Sequence, residues 1–191
     1  RALQHLEHVI QFEGASTIAA IIMETVVGTA GILVPPAGYL EGVRALCDKY
    51  GIVWIADEVM SGFGRTGEWF AFQNWTAQPD LITFAKGSNS GYVPVGGVVI
   101  SGDIAATFNE RVFPGGLTYS GHPLATASVV ATMVSRSFFA TLLGSASTSP
   151  ITPRRISFLS SVFNSPVVRI GFSSLTATIF LASVLELKTS P

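Results

Sequence analysis

The amino-acid sequence predicts an α/β protein with a mostly parallel sheet flanked by helices. Short continuous apolar runs, which suit strands inside a parallel sheet, alternate with a segment of helical periodicity. Loops rich in glycine and proline separate these segments. Since a strand, a helix and a second strand follow one another directly, a right-handed parallel crossover is expected. The 191 residues suffice for one domain with a sizeable core.

The first crossover begins at residues 18–24, IAAIIME, an apolar run that ends in an acid and predicts a strand buried on both faces. From Tyr39 to Tyr50 the apolar residues recur at helical spacing, and Gly51 stands where a C-cap glycine is expected. The run IVWIA at residues 52–56 predicts the next buried strand.

The α/β pattern continues to residue 134. LITFA and GGVVIS, at residues 81–85 and 96–101, predict two further strands. A helix is predicted from Ile104 to Phe108, and another from Pro123 to Met133 with proline in its permitted first turn.

Composition and charge exclude several function classes. A formal net charge of -1 argues against a nucleic-acid partner, which would call for a basic patch. The lone Cys47 excludes an internal disulfide and a cysteine-rich zinc site, so no metal is expected. It favours a reducing compartment, and the cytoplasm is the expected location, with an organelle as the alternative. With 48% hydrophobic and 12% charged residues, the chain should bury much of its surface in itself or in a partner.

The N-terminal segment does not predict secretion, and the late apolar stretch does not predict a membrane span. The N-terminal segment RALQHLEHVIQFEG has no initiator methionine and no apolar signal core. The given sequence is therefore expected to start inside a longer protein sequence. The most apolar late stretch, Leu175 to Leu187, is shorter than the roughly 20 residues that span a bilayer, so no membrane association is expected.

The composition changes at Val134, which predicts a boundary there. Residues 1–134 contain 6 Lys+Arg and 11 Asp+Glu, whereas residues 135–191 contain 5 and 1 together with 13 Ser. We expect an atypical tail that packs poorly against residues 1–134 and contributes no catalytic group. Within it, SSLTATIFLASVLELK could form one isolated helix.

The segment ADEVMSGFGRTG at residues 56–67 allows three interpretations. Gly62, Gly64 and Gly67 have the spacing of the dinucleotide fingerprint, but that motif needs its first glycine directly after the strand, and two acids intervene. An apolar strand ending in Asp57-Glu58 also resembles the magnesium-holding strand of a nucleotide hydrolase. The required phosphate loop G-x-x-x-x-G-K-[ST] does not occur in the sequence.

The third interpretation pairs Asp57 with Lys86. Both follow predicted parallel strands, whose carboxyl ends form the ligand-binding edge of such a sheet. A lysine that bonds an aldehyde and a carboxylate that keeps a ring nitrogen protonated suit pyridoxal phosphate chemistry. In a semi-buried crevice, desolvation should favour the neutral, nucleophilic amine. The structural alternative is an internal ion pair or two unrelated surface residues.

Four segments of the sequence, in the order and approximate spacing of one family, resemble the class III pyridoxal-phosphate-dependent aminotransferases. These are the ω-amino acid, 4-aminobutyrate, ornithine and taurine transaminases, and the segments are GILVPPAGYLEGVRALCDKYGIVWIADEVMSGFGRTG, PDLITFAKG, GYVPVGGVVIS and GGLTYSGHPLA. The resemblance covers residues 1 to about 134. It implies the central part of the large domain of a fold-type I transferase.

The resemblance also implies site residues, a cofactor and a partner. Asp57 would hold the pyridinium nitrogen of pyridoxal 5'-phosphate, Lys86 would be the Schiff-base lysine and proton shuttle, and Val59 would pack on the ring. Thr118 matches a threonine that reaches the cofactor phosphate of the other subunit, which implies a homodimer. Glu24 matches a substrate-side glutamate, although Thr25 stands where the family usually has proline.

Three functions are therefore carried forward. The first is transfer of an amino group from an ω-amino acid or amine to an α-keto acid such as pyruvate or 2-oxoglutarate. The second is an inactive fragment of such an enzyme, because the segments expected to supply the phosphate cup and the substrate arginine have no counterpart in this sequence. The third is a nucleotide-binding module built on the IVWIADE strand.

Overall fold

The computed structural model describes residues 1–116, 118–144 and 177–180, which divide into two compact units, Arg1–Gly87 and a second unit that begins at Ser88. The helices and strands are, in chain order, α1 Ala2–Glu13, β1 Ala20–Glu24, α2 Tyr39–Tyr50, β2 Val53–Asp57, β3 Leu81–Phe84, β4 Val95–Ile100, α3 Gly102–Ala106, α4 Pro123–Gly144 and β5 Ala177–Phe180.

In the first unit, β1, β2 and β3 pair side by side and in parallel, which confirms the predicted fold class. Glu24 at the end of β1 is level with Asp57 at the end of β2, and Asp57 is level with Thr83 of β3. The carboxyl ends of three strands therefore form one edge.

Helix α2 connects β1 to β2, as the sequence predicts. Its last turn ends at Gly51, which adopts the left-handed conformation (φ 67°) and donates its N–H to the carbonyl of Cys47. Glu41 in the first turn and Lys49 in the last turn complement the helix dipole.

One core cluster joins both helices to the sheet. Its buried members come from α1, α2, the start of β2 and the loop before β3, and they are Ile10, Leu40, Val43, Cys47, Ile52, Trp54 and Ala77. Trp54 is fully buried, and its backbone N–H donates to the carboxylate of Asp80 (2.7 Å). Arg44 of α2 forms an ion pair with the same Asp80 oxygen (2.7 Å). Asp80 therefore connects helix α2 to strand β2.

The prediction that residues 18–24 and 52–56 form strands buried on both faces is wrong for the unit as described. In β2 buried residues alternate with half-buried ones, and in β1 the side chain of Ile22 is 59% exposed. Helices α1 and α2 contribute to a core on one face only, which we call the covered face; it carries Trp54 and Ala56. The opposite face, here called the open face, carries Ile22, Ile55 and Asp57, since side chains alternate along each strand.

In the second unit, β4 and the two predicted helices are present with shifted ends. Helix α3 spans Gly102–Ala106, and α4 extends beyond the predicted Met133 to Gly144. Asn89 is buried and donates to the carbonyl of Val93 (2.6 Å) and to Ser128 of α4 (2.9 Å). One amide side chain thus holds the loop before β4 against α4.

The tail departs from expectation at β5. Residues Ala177–Phe180 form a strand that pairs in parallel with β4, so the expected helix over SSLTATIFLASVLELK is wrong for these four residues. The β-branched Thr178 and Ile179 favour extended backbone. The expected poor packing of the tail stays a prediction. The remaining positions of that segment lie outside the described residues, and the boundary near Val134 stays a prediction.

Within the described part of the chain, no helix combines the length and the apolar character that crossing a membrane requires.

Candidate active site

Asp57 ends β2 on the open face, next to two other polar residues. Its Oδ1 accepts the backbone N–H of Val59 (3.0 Å), and its second carboxylate oxygen has no hydrogen-bond partner among the described residues. Glu24 lies level with it on one side, and its Oε1 accepts the N–H of Gly28 (3.2 Å). Thr83 lies level with it on the other side. The Thr83 hydroxyl is buried and has no hydrogen-bond partner among the described residues.

Lys86 follows β3 by two residues and begins a 3-10 turn, Lys86–Ser88. It therefore lies beyond the carboxyl end of the strand next to Asp57, as the sequence predicts. The Lys86 side chain is exposed. The described residues therefore do not form the semi-buried crevice that was expected to desolvate it. No ion pair joins Lys86 to Asp57 among them, so the structural alternative of an internal ion pair is not observed.

The loop after β2 connects the segments that carry Asp57 and Lys86. A Cβ atom added at Gly87 would lie 2.9 Å from the Cβ of Phe63 and 3.0 Å from the carbonyl oxygen of Gly62. The backbone next to Lys86 therefore packs directly on the loop that follows Asp57. Phe63 is itself buried and holds a left-handed conformation (φ 62°). Its ring is packed edge-on against Trp69, Phe70 and Phe84.

Glu58, the residue after Asp57, is completely buried. Its Oε1 accepts the hydroxyl of Thr25 (2.7 Å) and the N–H of Phe72 (2.9 Å). Its Oε2 accepts the hydroxyl of Ser61 (2.7 Å) and the N–H of Ala71 (2.9 Å). Four donors thus compensate the desolvation of this buried carboxylate. Thr25, which stands where the family usually has proline, is thus hydrogen-bonded to Glu58.

The glycines of the loop serve backbone geometry. Gly64 and Gly67 have φ values of 91° and 92°, which side chains other than glycine rarely adopt. A Cβ at Gly62 would lie 2.7 Å from the carbonyl oxygen of Glu58. Arg65 donates to the carbonyl of Met60 and closes the turn. A 3-10 turn, Ala71–Asn74, follows this loop instead of the α-helix that the dinucleotide fingerprint requires, so that interpretation is not supported.

The other predicted site residues occupy more peripheral places. Val59 is half-buried directly after the β2 edge. In the second unit, Thr118 lies exposed in the turn before α4. His122 directly precedes α4, and its backbone carbonyl accepts the N–H of Thr126.

Sequence reasoning missed the role of Glu58, although a signal was available. Two consecutive acids at the end of a strand project to opposite faces, because side chains alternate along a strand. With Asp57 on the open face, Glu58 had to enter the covered side, where a carboxylate persists only with several donors. The loop that follows supplies three of those donors, and Thr25 after β1 supplies the fourth.

An open groove of about 580 Å³ lies along α1, lined by His5, His8, Val9, Gln11, Phe12 and Glu13. None of these residues belongs to the strand-end edge. Phe12 is 92% exposed there. We therefore base the site on the strand ends, where the polar side chains converge, and not on this concavity.

Several known proteins of one family are similar to this chain. The family model for aminotransferase class-III matches residues 1–140. The chain is 44% identical over 132 residues to gamma aminobutyrate transaminase 2 of Solanum lycopersicum, covering 66% of this chain and 29% of that protein. It is 47% identical over 127 residues to putrescine–pyruvate aminotransferase of Pseudomonas aeruginosa, covering 66% and 28%.

Solved structures agree with the curated relatives. The taurine:2-oxoglutarate aminotransferase of Bifidobacterium kashiwanohense, determined with pyridoxal phosphate and glutamate, is 58% identical with a TM-score of 0.67. The match covers 68% of this chain and 29% of that structure. The chain spans less than a third of the length of these relatives.

Proposed function

The chain belongs to the class-III aminotransferase family, and from this premise we propose that it forms the central part of a pyridoxal-phosphate-dependent transaminase. The proposed reaction moves an amino group from an ω-amino acid or amine to an α-keto acid such as pyruvate or 2-oxoglutarate. The observation that supports it most is the placement of Asp57 and Lys86 beyond the carboxyl ends of neighbouring parallel strands, with Gly87 packed on the loop between them.

The residues at this edge fit the cofactor by their chemistry. Asp57 offers a carboxylate oxygen that can hold a protonated ring nitrogen, and the Nζ of Lys86 is exposed and accessible to an aldehyde. The Thr83 hydroxyl lies level with Asp57 and has no hydrogen-bond partner among the described residues. When bound, pyridoxal phosphate supplies an electron-withdrawing ring.

Each residue then has a defined role. The carboxylate of Asp57 keeps a proton on the ring nitrogen by charge and hydrogen bonding. Lys86 holds the cofactor through Nζ and moves a proton with the same atom. The backbone N–H of Val59 holds the Asp57 carboxylate, and the apolar side chain of Val59 would pack on the ring. Glu24 is level with Asp57 and would face the substrate.

The proposal extends to the assembled protein. Thr118 is exposed, as a residue that reaches the cofactor phosphate of another subunit must be, and we propose a homodimer on this basis. We place the protein in the cytoplasm or another reducing compartment, because Cys47 is a buried free thiol.

Borohydride trapping tests the proposal. The chain contains three lysines, Lys49, Lys86 and Lys188. After incubation with pyridoxal 5'-phosphate and reduction, we expect the label on Lys86 in excess of the other two, located by peptide mass mapping. Equal labelling of all three lysines, or none, would remove the cofactor assignment and leave the nucleotide-binding alternative.

An assay for amino transfer separates the enzyme from the inactive fragment. Selective labelling of Lys86 with formation of the new amino acid from pyruvate or 2-oxoglutarate supports the full proposal. Selective labelling without turnover supports the fragment, which the exposure of Lys86 favours for this chain by itself.

A further inference from the structure

Glu58 is a buried acid to which the proposed reaction assigns no role. It is completely buried, and both of its carboxylate oxygens are occupied by donors at 2.7 to 2.9 Å. Because both oxygens already accept two hydrogen bonds each, Glu58 is not available to bind substrate. Its role is therefore to connect the segments of the chain that donate its four hydrogen bonds.

The four donors come from three separate places in the chain. Thr25 directly follows β1, Ser61 lies in the turn after β2, and Ala71 and Phe72 begin the 3-10 turn ten residues later. One side chain therefore anchors the end of a neighbouring strand and both ends of the glycine-rich loop. Hydrogen bonds to an ionised acceptor are stronger than neutral ones.

The backbone of Glu58 extends this connection to both predicted cofactor residues. Glu58 is bonded to Asp57 in sequence, and its N–H donates to the carbonyl of Thr83 (2.9 Å) in the strand that leads to Lys86. Its carbonyl accepts the N–H of Gly62 (3.0 Å), and Gly62 and Phe63 contact Gly87. A displacement of the Glu58 side chain would thus reach the segments on both sides of the site.

We propose that Glu58 is a positioning residue that sets the spacing between the Asp57 carboxylate and the turn carrying Lys86. The inference rests on the proposed function, because it concerns the geometry of those two residues toward the cofactor. Glu58 acts through the loop and makes no contact with cofactor or substrate.

Two substitutions remove the anchor to different degrees. Glu58→Gln places an amide N–H₂ opposite a backbone N–H that cannot accept, either that of Ala71 or that of Phe72, so one buried donor loses its partner. Thr25→Val keeps the shape but removes one hydroxyl donor. Thr25→Ser retains the hydroxyl, and Glu13→Gln removes a charge from the exposed surface of α1; both are matched controls.

The probe is pyridoxal 5'-phosphate, and the readouts are its dissociation constant from absorbance titration and the fraction of borohydride label on Lys86 among the three lysines. We expect at least about tenfold weaker binding for Glu58→Gln and roughly three- to tenfold for Thr25→Val, with label shifted from Lys86 to the other lysines. Both controls should remain within about twofold of the parent. Far-UV circular dichroism establishes that each variant is folded.

Coupling to Asp57 distinguishes positioning from general support of the fold. If the anchor acts through Asp57, Thr25→Val should weaken binding far less in an Asp57→Asn background than in the parent. The same loss in both backgrounds would overturn the inference, as would unchanged binding in Thr25→Val. Should Glu58→Gln fail to fold, the Thr25 series decides alone. Absence of selective Lys86 labelling in the parent contradicts the proposed function and the inference with it, whereas selective labelling with an insensitive Thr25 series contradicts the inference alone.

Discussion

The two faces of strands β1, β2 and β3 differ in what they contribute, although the same strands form both. The covered face places Trp54 and Ala56 against a core that α1 and α2 complete. On the open face Ile22 is exposed and Ile55 is half-buried. This face ends at Glu24 and Asp57. Because side chains alternate along a strand, residues that stabilise the core and residues proposed for chemistry lie on opposite faces. The neighbouring acids Asp57 and Glu58 follow the same alternation.

The largest effect is expected from a substitution in the core on the covered face. Trp54→Ala should lower the free energy of unfolding by about 3–5 kcal/mol, because a large buried side chain is replaced by a cavity. Ile55→Ala, one residue away on the open face, should lower it by only about 1–2 kcal/mol. Urea unfolding at one pH measures both. Equal losses would mean that the open face is as well packed as the covered face.

The buried thiol of α2 makes the covered face sensitive to alkali. Burial raises the pKa of Cys47 above its ordinary value, with the nearby carboxylates adding to the effect and Arg44 opposing it. The contribution of the neutral thiol to stability is therefore complete below the ordinary thiol pKa and is lost as the pH rises from there through the raised pKa.

Cys47→Ala isolates this alkaline effect. At neutral pH the variant should lose about 1–2 kcal/mol for the deleted buried sulfur. Between pH 7 and pH 10, urea unfolding should show a smaller decline in stability for Cys47→Ala than for the parent. Identical declines would show that the thiol does not titrate differently on folding.

On the open face, Asp57→Asn should separate chemistry from stability. The amide oxygen of asparagine can still accept the N–H of Val59, so the free energy of unfolding should change by no more than about 0.5 kcal/mol. Attachment of cofactor to Lys86 should persist. In a full-length version with activity, the proton-abstraction step should slow by much more than tenfold, because a neutral partner no longer keeps the ring nitrogen protonated.

Stopped-flow measurement of the half-reaction provides the second readout for Asp57→Asn. Rates within tenfold of the parent would contradict the role proposed for Asp57. A large loss of stability in the same variant would instead assign Asp57 to the fold.

The smallest effect concerns the outer surface of the covering helices. Hydrogen bonds from Lys49 (2.6 Å) and Tyr50 (2.9 Å) lower the pKa of Glu7, so its contribution to stability is present above the ordinary glutamate pKa and is lost as the pH falls through the lowered value. Because these groups face solvent, the effect should be slight. Melting temperatures of Glu7→Gln and the parent should converge below pH 3, with Glu13→Gln as the control. A difference that persists at that pH would point to packing rather than charge.

Much of the fold was predictable because it depends on local signals. The helix Tyr39–Tyr50 matches its prediction at both ends, since apolar spacing and the left-handed Gly51 both mark it. The four early strands were found within two residues of their observed ends. Predicting burial on both faces of the strands failed, because burial depends on which elements pack on the sheet and not on the composition of the strand.

The candidate site was predictable to a smaller extent. Asp57 and Lys86 were located by their position after apolar strands, and the register of β2 and β3 confirms that these strands are neighbours. The exposure of Lys86 contradicts the expected crevice. In the tail, four residues of an expected helix pair with β4 instead, because strand pairing is a long-range contact that overrides weak local propensity.

The sequence by itself determined the family, the parallel α/β class and the two residues proposed to hold the cofactor, because strand periodicity, cap glycines and motif order are all encoded locally. Only the tertiary structure decided that Glu58 is buried among Thr25, Ser61, Ala71 and Phe72. These partners lie up to 33 residues away in the chain. Strand alternation predicts only that Glu58 points away from Asp57, and no local pattern specifies which donors it meets there.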